Sequence, residues 1–215
     1  MLKYKKAVVG RLAVNCWAAY DDETMHGIII DPGSNIRKIH ELTDELGITV
    51  DAVVLTHAHF DHIAHADDVR KDYNAPLIMH EQEKEILNDP EWNLSLLFTN
   101  SPLSLEADRL VKEGEKITFG NVSLDVIYVP GHTRGCMALL GEGILFSGDT
   151  LFAGTFGRTD FPTGDPVTLA HSIEKLYALP DETIVLPGHN EETTIGEEKR
   201  SNWMVKQLFR EVGTE

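Results

Sequence analysis

Short runs of apolar residues alternate along the chain with stretches in which apolar residues recur every three or four positions. The short runs have the length and composition of buried strands, and the recurring stretches are typical of helices that cover a sheet. Ser34 is the predicted N-cap of the first helix, and Gly47 ends it. In the first half, the predicted strands are 27–31, 52–56 and 76–80, and the predicted helices are about 35–46, 61–73 and 81–87.

The second half of the chain contains two predicted hairpins. The elements expected there are hairpins of 117–119 with 122–129 and of 136–140 with 144–147, a helix over 165–179, a strand over 183–186 and a helical end from about residue 191. Residues 89–114 have no clear periodicity and resemble a loop that covers something. Mixed strands and helices predict the α/β (α+β) class, and the hairpins argue against a purely parallel doubly wound sheet.

Four of the predicted strands end in histidine or aspartate. The segments are VVLTHAHFDH (53–62), VPGH (129–132), ILFSGD (144–149) and LPGH (186–189). Active sites of α/β sheets tend to form outside the carboxyl ends of strands, so we expect these side chains to converge. The expected set is His57, His59, Asp61, His62, His132, Asp149 and His189.

Five imidazoles and two carboxylates are more than one tetrahedral metal ion needs, because a catalytic zinc takes about four ligands including water. The set suits two divalent metal ions, with zinc expected first and iron or manganese as alternatives. Residues two apart in an extended segment face the same side, which favours a shared metal. The spacing therefore pairs His57 with His59 and Asp61 with His62, adds His132 or His189 to each site, and leaves Asp149 as a bridge.

A pair of divalent metals would lower the pKa of a shared water from 15.7 towards roughly 7 and would stabilise a developing oxyanion. The predicted reaction class is metal-assisted hydrolysis, with Asp61 and Asp149 as catalytic carboxylates acting together with the metal-bound hydroxide. A thiolate leaving group would need little general-acid help, since a thiol has a pKa near about 8.5.

The composition of the chain limits the classes of molecule that it is expected to bind. The chain has 19 basic and 35 acidic residues, so its formal charge is 19 − 35 = −16, which argues against nucleic acid or an anionic membrane as the main partner. No apolar run is long enough to span a bilayer. Two cysteines, Cys16 and Cys136, do not make a disulfide framework and are expected to be free and buried. We expect a cytoplasmic protein with one domain over residues 1–215, a monomer or small homo-oligomer.

Several motifs of the chain resemble those of one known family. The motifs are THAHFDH (56–62), which has the pattern His-x-His-x-Asp-His, and then DPG (31–33), PGHTRGC (130–136), FSGDTLF (146–152) and PGH (187–189). Together they are similar to the signature of the metallo-β-lactamase fold superfamily and cover nearly the whole chain. The stretch LFAGTFGRTDFPTGD (151–165) resembles the glyoxalase II–like hydrolases, especially their short bacterial form.

This resemblance implies a four-layer αββα sandwich with the metals at one edge. The implied ligands are His57, His59 and His132 for the first metal, Asp61, His62 and His189 for the second, and Asp149 as the bridge. The implied reaction is hydrolysis of a hydroxyacylglutathione thioester such as S-lactoylglutathione, with Arg158 contacting the substrate. The C-terminal helical domain with which larger members grip glutathione is not expected in these 215 residues, which leaves the thiol open.

Other functions in the same superfamily stay open. A mononuclear non-haem iron persulfide dioxygenase would bind one iron through His57, His132 and Asp149, with His59 in many descriptions of the motif. True metallo-β-lactamases lack the bridging aspartate, so Asp149 argues against them. A non-catalytic metal-binding module is the third class considered, and the complete ligand set argues against it.

Residues beyond the ligand set have smaller expected roles. Thr133, Asp160 and Asp31 are candidates for contacts that orient ligating histidines. Arg158 could instead pair with Asp160 or Asp165 and hold its loop. The residues expected on helix surfaces are His65, Glu81, Glu83 and Lys84, and Phe152 and Phe156 are expected in the core or along the pocket.

Overall fold

Residues 1–213, which the computed structural model describes, form two six-stranded sheets flanked by helices. The first sheet has the strand order β1-β2-β3-β4-β5-β6. Its strands are β1 (Leu2–Val9), β2 (Val14–Asp21), β3 (His26–Ile30), β4 (Thr49–Val54), β5 (Leu77–His80) and β6 (Arg109–Val111). The first three strands pair antiparallel, and β3 to β6 pair parallel. The mixed order agrees with the sequence, which argued against a purely parallel sheet.

The second sheet has the order β14-β13-β10-β9-β8-β7. Its strands are β7 (Lys116–Phe119), β8 (Val122–Tyr128), β9 (Met137–Gly141), β10 (Ile144–Gly148), β13 (Ile184–Pro187) and β14 (Thr193–Thr194). Only β10 and β13 pair parallel in this sheet among the described residues. Between them, β11 (Leu151–Phe152) and β12 (Thr155–Phe156) form a small separate hairpin. Both predicted hairpins, β7 with β8 and β9 with β10, are confirmed.

Helices cover the outer face of each sheet. They are α1 (Ile36–Leu46), α2 (Phe60–Ile63), α3 (Ala66–Tyr73), α4 (Lys84–Asn88), α5 (Ser95–Phe98), α6 (Pro166–Tyr177), α7 (Ile195–Ser201) and α8 (Trp203–Val212), with a 3₁₀ turn at Glu81–Glu83. The longest described helix, α6, has 12 residues, and none in residues 1–213 is both long and apolar enough to cross a membrane.

Three clusters of buried apolar side chains lie between these layers. The cluster between the sheets contains Trp17, Phe119 and Phe146, the cluster under α1 and α3 contains Ile39 and Val69, and the cluster under α6 and α8 contains Leu169, Ile173 and Val205. Each sheet therefore packs against the other sheet on one face and against helices on the other. The predicted α/β class and the four-layer αββα sandwich are confirmed.

Local differences from the predicted elements have physical reasons. The hairpin of β1 and β2 has no counterpart among the predicted strands, because β1 is an edge strand without clean alternation of buried and exposed positions. The helix expected over 61–73 is two helices, α2 and α3, with His65 between them. The N-cap of α1 is Asn35 rather than Ser34, and Gly47 ends the helix as expected. Cys16 and Cys136 are free and buried.

Candidate metal centre

The seven side chains predicted from the strand ends lie together where strands of both sheets end. One segment, which runs from the end of β4 into α2, carries four of them. The other three follow β8, β10 and β13. The positions in chain order are His57, His59, Asp61 and His62 in the first segment, then His132, Asp149 and His189.

The first ligand group consists of His57, His59 and His132, and one ring nitrogen from each lies within 4.8 Å of the others. Nδ1 of His59 is 2.8 Å from Nε2 of His132. All three side chains are buried, and Nε2 of His57 and Nε2 of His59 have no hydrogen-bond partner within residues 1–213. Three buried imidazoles with ring nitrogens this close together, one of them the partnerless Nε2 of His57, are the arrangement expected of side chains that share a cation.

The second ligand group consists of Asp61, His62 and His189, again within 4.8 Å. Nε2 of His62 and Nε2 of His189 are 3.3 Å apart, and the latter is 3.5 Å from Oδ2 of Asp61. Asp149 lies between the groups: Oδ1 is 3.5 Å from His62 Nε2, and Oδ2 is 3.6 Å from His132 Nε2. The predicted bridge thus reaches both groups.

A glycine permits this close approach. Gly188 precedes His189, and a Cβ added to it would lie 2.2 Å from Oδ1 of Asp149 and 2.9 Å from Cε1 of His62. No side chain fits there, because the turn after β13 passes directly against the centre. The glycine of the Pro-Gly-His motif is therefore needed because only a residue without a side chain lets the turn bring His189 this close to the centre.

Four of the five imidazoles are oriented through the ring nitrogen that faces away from the cluster. The contacts are His57 Nδ1 to the Thr56 hydroxyl at 3.2 Å, His62 Nδ1 to Asp31 Oδ2 at 3.0 Å, His132 Nδ1 to the Arg158 carbonyl at 2.7 Å and His189 Nδ1 to the Leu12 carbonyl at 3.1 Å. Such contacts set the tautomer and the ring plane of a ligating histidine.

Asp31 has the orienting role expected of it. This buried residue, whose backbone has a φ of 52°, accepts hydrogen bonds from the Thr56 amide at 2.8 Å and the Thr56 hydroxyl at 2.6 Å, besides its contact with His62. Asp31 also lies within 4.8 Å of His57 and His62 as a possible ligand set. Its carboxylate is already occupied by these partners, so it serves as a support for the second group.

Glu83 is the functional residue that the sequence did not reveal, and its expected place on a solvated helix face is wrong. Its side chain is fully buried. Oε1 accepts from the Ala58 amide at 2.9 Å, the Thr133 hydroxyl donates from 2.9 Å, and the Gly135 amide also donates. Ala58 lies between two ligating histidines and Thr133 follows a third, so Glu83 joins the two backbone segments that carry the first group. Burial raises the pKa of Glu83 to about 7.

The two ligand groups differ in charge. Burial lowers the pKa of His57 and His59 well below the ordinary value, and neighbouring imidazoles lower it further. Burial would also lower the pKa of His62, but three carboxylates raise it instead, those of Asp149, Asp61 and Asp31. The first group is therefore neutral and open to a cation, whereas a cation at the second group must displace a proton.

These residues fit two divalent metal ions. The donors are imidazole and carboxylate without thiolate, several are buried without another partner, and one carboxylate reaches both groups. Zinc, iron and manganese all accept such donors, and the donor set does not choose among them.

An open groove of about 790 Å³ lies over the centre. Phe152 and Phe156 line it, as does Phe98, whose helix α5 belongs to the segment 89–114 that was expected to cover something. Arg158 also lines it and binds Asp160 through Nε and Nη2, both at 2.6 Å. Asp160 thus holds this arginine and does not touch a ligating imidazole.

His65 stands apart from the centre. Its ring is about one-third exposed and binds the Asp68 carboxylate at 2.8 Å. His65 is the N-cap of α3, which agrees with the expectation that it lies on a helix surface.

A sheet sandwich with two histidine-rich ligand groups around one shared aspartate defines a class of metal-dependent hydrolases. The family model of the metallo-beta-lactamase superfamily matches residues 9–189. The chain belongs to this superfamily, and the family expected from the motifs is confirmed.

Relatives and solved structures agree with this membership. The chain is 36% identical over 205 residues to a probable metallo-hydrolase, YqgX, of Bacillus subtilis, covering 94% of this chain and 96% of that one. It is 34% identical over 193 residues to the hydroxyacylglutathione hydrolase GloC of Haemophilus influenzae, covering 87% and 91%. Among solved structures, the BLEG-1 B3 metallo-beta-lactamase is 36% identical with a TM-score of 0.88, covering 93% and 98%. TTHA1623 in a di-iron-bound form is 32% identical with a TM-score of 0.83, covering 92% and 98%.

Proposed function

We propose that the protein is a dinuclear metal-dependent hydrolase that cleaves a small-molecule thioester of the hydroxyacylglutathione type, such as S-lactoylglutathione. The observation that carries the proposal is the shared Asp149 between two complete ligand groups beneath an open groove. The similarity to GloC, whose name states this activity, supports the thioester as the substrate class. The proposal includes action in the cytoplasm as a single domain, without nucleic acid or membrane as a partner.

Two divalent metal ions at the ligand groups would supply a nucleophile at neutral pH and would stabilise negative charge on the attacked carbonyl oxygen. The chain's own residues prepare the centre for this chemistry. Asp149 lies where it can keep the two groups at a fixed separation, and Asp61 adds negative charge to the second group. The orienting contacts of the imidazoles keep their ring planes fixed, so little reorganisation is needed when the substrate binds.

Arg158 is the proposed contact for an anionic part of the substrate. Two of its guanidinium nitrogens bind Asp160, which leaves Nη1 facing no partner among residues 1–213. A substrate carboxylate could bind this third nitrogen or compete with Asp160 for the others. The contact is therefore expected to affect KM more than kcat.

The test is hydrolysis of S-lactoylglutathione by the purified protein before and after chelation. We expect turnover that is lost with the metal and restored when zinc, iron or manganese is returned. Asp149→Ala should lose both activity and bound metal, whereas His65→Ala, a histidine outside the ligand groups, should keep both. Full activity in Asp149→Ala would refute the bridging role, and a metal-loaded protein that cleaves no thioester would refute the proposed function.

Two comparison assays separate the alternatives. The similarity to a di-iron structure calls for a test of the persulfide dioxygenase. Such an enzyme would consume oxygen when it is given glutathione persulfide. The similarity to BLEG-1, which is named a B3 metallo-beta-lactamase, calls for a β-lactam as a second comparison substrate. Turnover of either compound at a higher kcat/KM than every thioester would replace the proposed function.

A further inference from the structure

One wall of the groove over the metal centre is aromatic. Phe60 and Phe98 stack with ring centroids 5.4 Å apart, and Phe98 meets Phe161 edge-on at 5.9 Å. Phe161 in turn lies 6.0 Å from the ring of His59, so the wall reaches the first ligand group. Phe98 is 53% exposed although it faces the groove, which leaves a large apolar surface open beside the reacting position.

The aromatic wall carries no net charge. The guanidinium of Arg158 lies 3.8 Å from the centre of the Phe161 ring, and its charge is balanced by the Asp160 carboxylate, which accepts from Nε and Nη2. A group that lies against Phe98 therefore meets ring faces, and the nearest cation is already paired with a carboxylate. The wall therefore favours an apolar group over a hydroxylated or charged one.

A second wall of the groove, beside the second ligand group, carries an unpaired cation. Arg11 and Leu12 lie in the turn between β1 and β2 and line the groove, and the Leu12 carbonyl holds the ring of His189 at 3.1 Å. The turn is thus attached to the second ligand group, and Arg11 stands at its exposed edge. Within residues 1–213, the Arg11 guanidinium has no hydrogen bond and no ion pair.

This unpaired state is unusual in a chain whose acidic residues outnumber its basic ones. Six other arginines each form an ion pair with a carboxylate, namely Arg37, Arg70, Arg109, Arg134, Arg158 and Arg200. Arg11 differs from them by its place at the mouth of the groove. A free guanidinium at this position is suited to an anionic group of a ligand.

We propose that the groove selects thioesters with an apolar acyl group and an anionic thiol part, the acyl group lying against Phe98 and the anion lying at Arg11. This inference rests on the proposed function and extends it, because a hydroxyacyl group is not the best match for the aromatic wall. The acyl half gains most from the apolar wall beside the first ligand group. The larger thiol half, whose charge stays partly in water, extends towards the exposed turn.

Four thioesters test the proposal with the metal-loaded protein. They combine a lactoyl or hexanoyl group with glutathione, which is anionic, or with N-acetylcysteamine, which is neutral. We expect hexanoyl to exceed lactoyl in kcat/KM by at least about tenfold, since each buried methylene contributes about fourfold. We expect glutathione to exceed N-acetylcysteamine by about threefold to tenfold, and this preference to weaken as salt is added.

Two variants assign the two preferences to the two walls. Phe98→Ala should reduce the hexanoyl preference and leave the glutathione preference, with Leu97→Ala, its exposed neighbour on α5, as the matched control. Arg11→Gln should reduce the glutathione preference alone, with Arg37→Gln on α1 as its control. A pattern in which each variant lowers all four kcat/KM values equally would overturn the proposal.

The remaining outcomes distinguish this inference from the proposed function. Equal kcat/KM values for the four thioesters would overturn the inference and leave the hydrolase intact. If no thioester is cleaved, the selectivity of the groove is tested by the binding of S-hexylglutathione, a thioether that cannot be hydrolysed. The binding is measured by calorimetry. Binding that weakens in both Arg11→Gln and Phe98→Ala would uphold the selectivity of the groove without the hydrolysis. Absence of binding, or binding that neither variant weakens, would overturn this inference as well as the proposed function.

Discussion

Replacing Glu83 tests how the first ligand group is held. Its buried carboxylate accepts hydrogen bonds from the Ala58 and Gly135 amides and from the Thr133 hydroxyl. Glu83→Ala leaves two amide donors in the interior without an acceptor, whereas the hydroxyl can rotate towards another partner. Each unmade bond costs about 1–3 kcal/mol, so we expect the metal-free protein to lose about 2–6 kcal/mol of its free energy of unfolding.

The same change should weaken metal binding at the first group. Glu83 joins the segment of His57 and His59 to the segment of His132, and it touches none of the three rings. We expect the affinity of this group for zinc to fall by about 10-fold to 100-fold, the usual effect of removing an outer support, and the second group to change less. Urea unfolding of the metal-free protein measures the stability, and competition with a chromophoric chelator measures the two zinc affinities.

Glu198→Ala is the matched control. Glu198 is also a buried carboxylate, and it accepts from the Gly154 backbone amide at 2.9 Å, the Thr193 hydroxyl at 2.7 Å and the side-chain amide of Asn202 at 2.7 Å. Its removal should destabilise the protein by a similar amount while both zinc affinities stay close to those of the wild type. If Glu83→Ala lowers the first zinc affinity no more than this control does, the positioning argument is wrong.

Three further predictions concern the centre, a helix cap and pH. Gly188→Ala should abolish binding of the second zinc, because its Cβ would lie 2.2 Å from Oδ1 of Asp149; two bound zinc ions by mass spectrometry would contradict this. Asp165→Ala removes the N-cap of α6, which accepts from the Thr168 amide at 2.7 Å, and should cost about 1 kcal/mol in urea unfolding without changing zinc affinity. Burial raises the pKa of Glu83 from 4.5 to about 7, so its contribution to stability is full below pH 4.5 and is lost as pH rises through 7. The metal-free Glu83→Gln variant should therefore gain stability relative to the wild type as pH rises, and a constant difference would refute the assignment.

The convergence of the ligands was predictable because it depends on local patterns. A buried strand that ends in a Pro-Gly turn or a short polar segment places its last side chains at the sheet edge, whatever the rest of the chain does. The turn between β7 and β8 was predictable for the same reason, because the glycine between the two predicted strands, Gly120, readily adopts the positive φ that such a turn needs, here 50°. The position of Asp149 near both ligand groups likewise follows from the order of the strand ends.

Glu83 was not predictable because its burial depends on distant segments. The local sequence EQEKE is charged at most positions and is typical of a helix surface. Only the fold shows that Gly135 leaves room for the carboxylate, since a Cβ there would lie 2.4 Å from Glu83 Oε2. A polar residue that supports a site through backbone amides has no fixed spacing from it in the sequence.

Asp31 and Glu83 together explain how one short segment serves two ligand groups. Asp31 accepts from the amide of Thr56 and Glu83 accepts from the amide of Ala58, so carboxylates hold the backbone on both sides of His57. Each carboxylate also holds one group separately, Asp31 through the ring of His62 and Glu83 through the segment that carries the third histidine of the first group. Because two rigid supports approach the segment from the ends of different strands, the groups keep their separation without relying on the metals, and a shared aspartate can span a distance that the fold has already set.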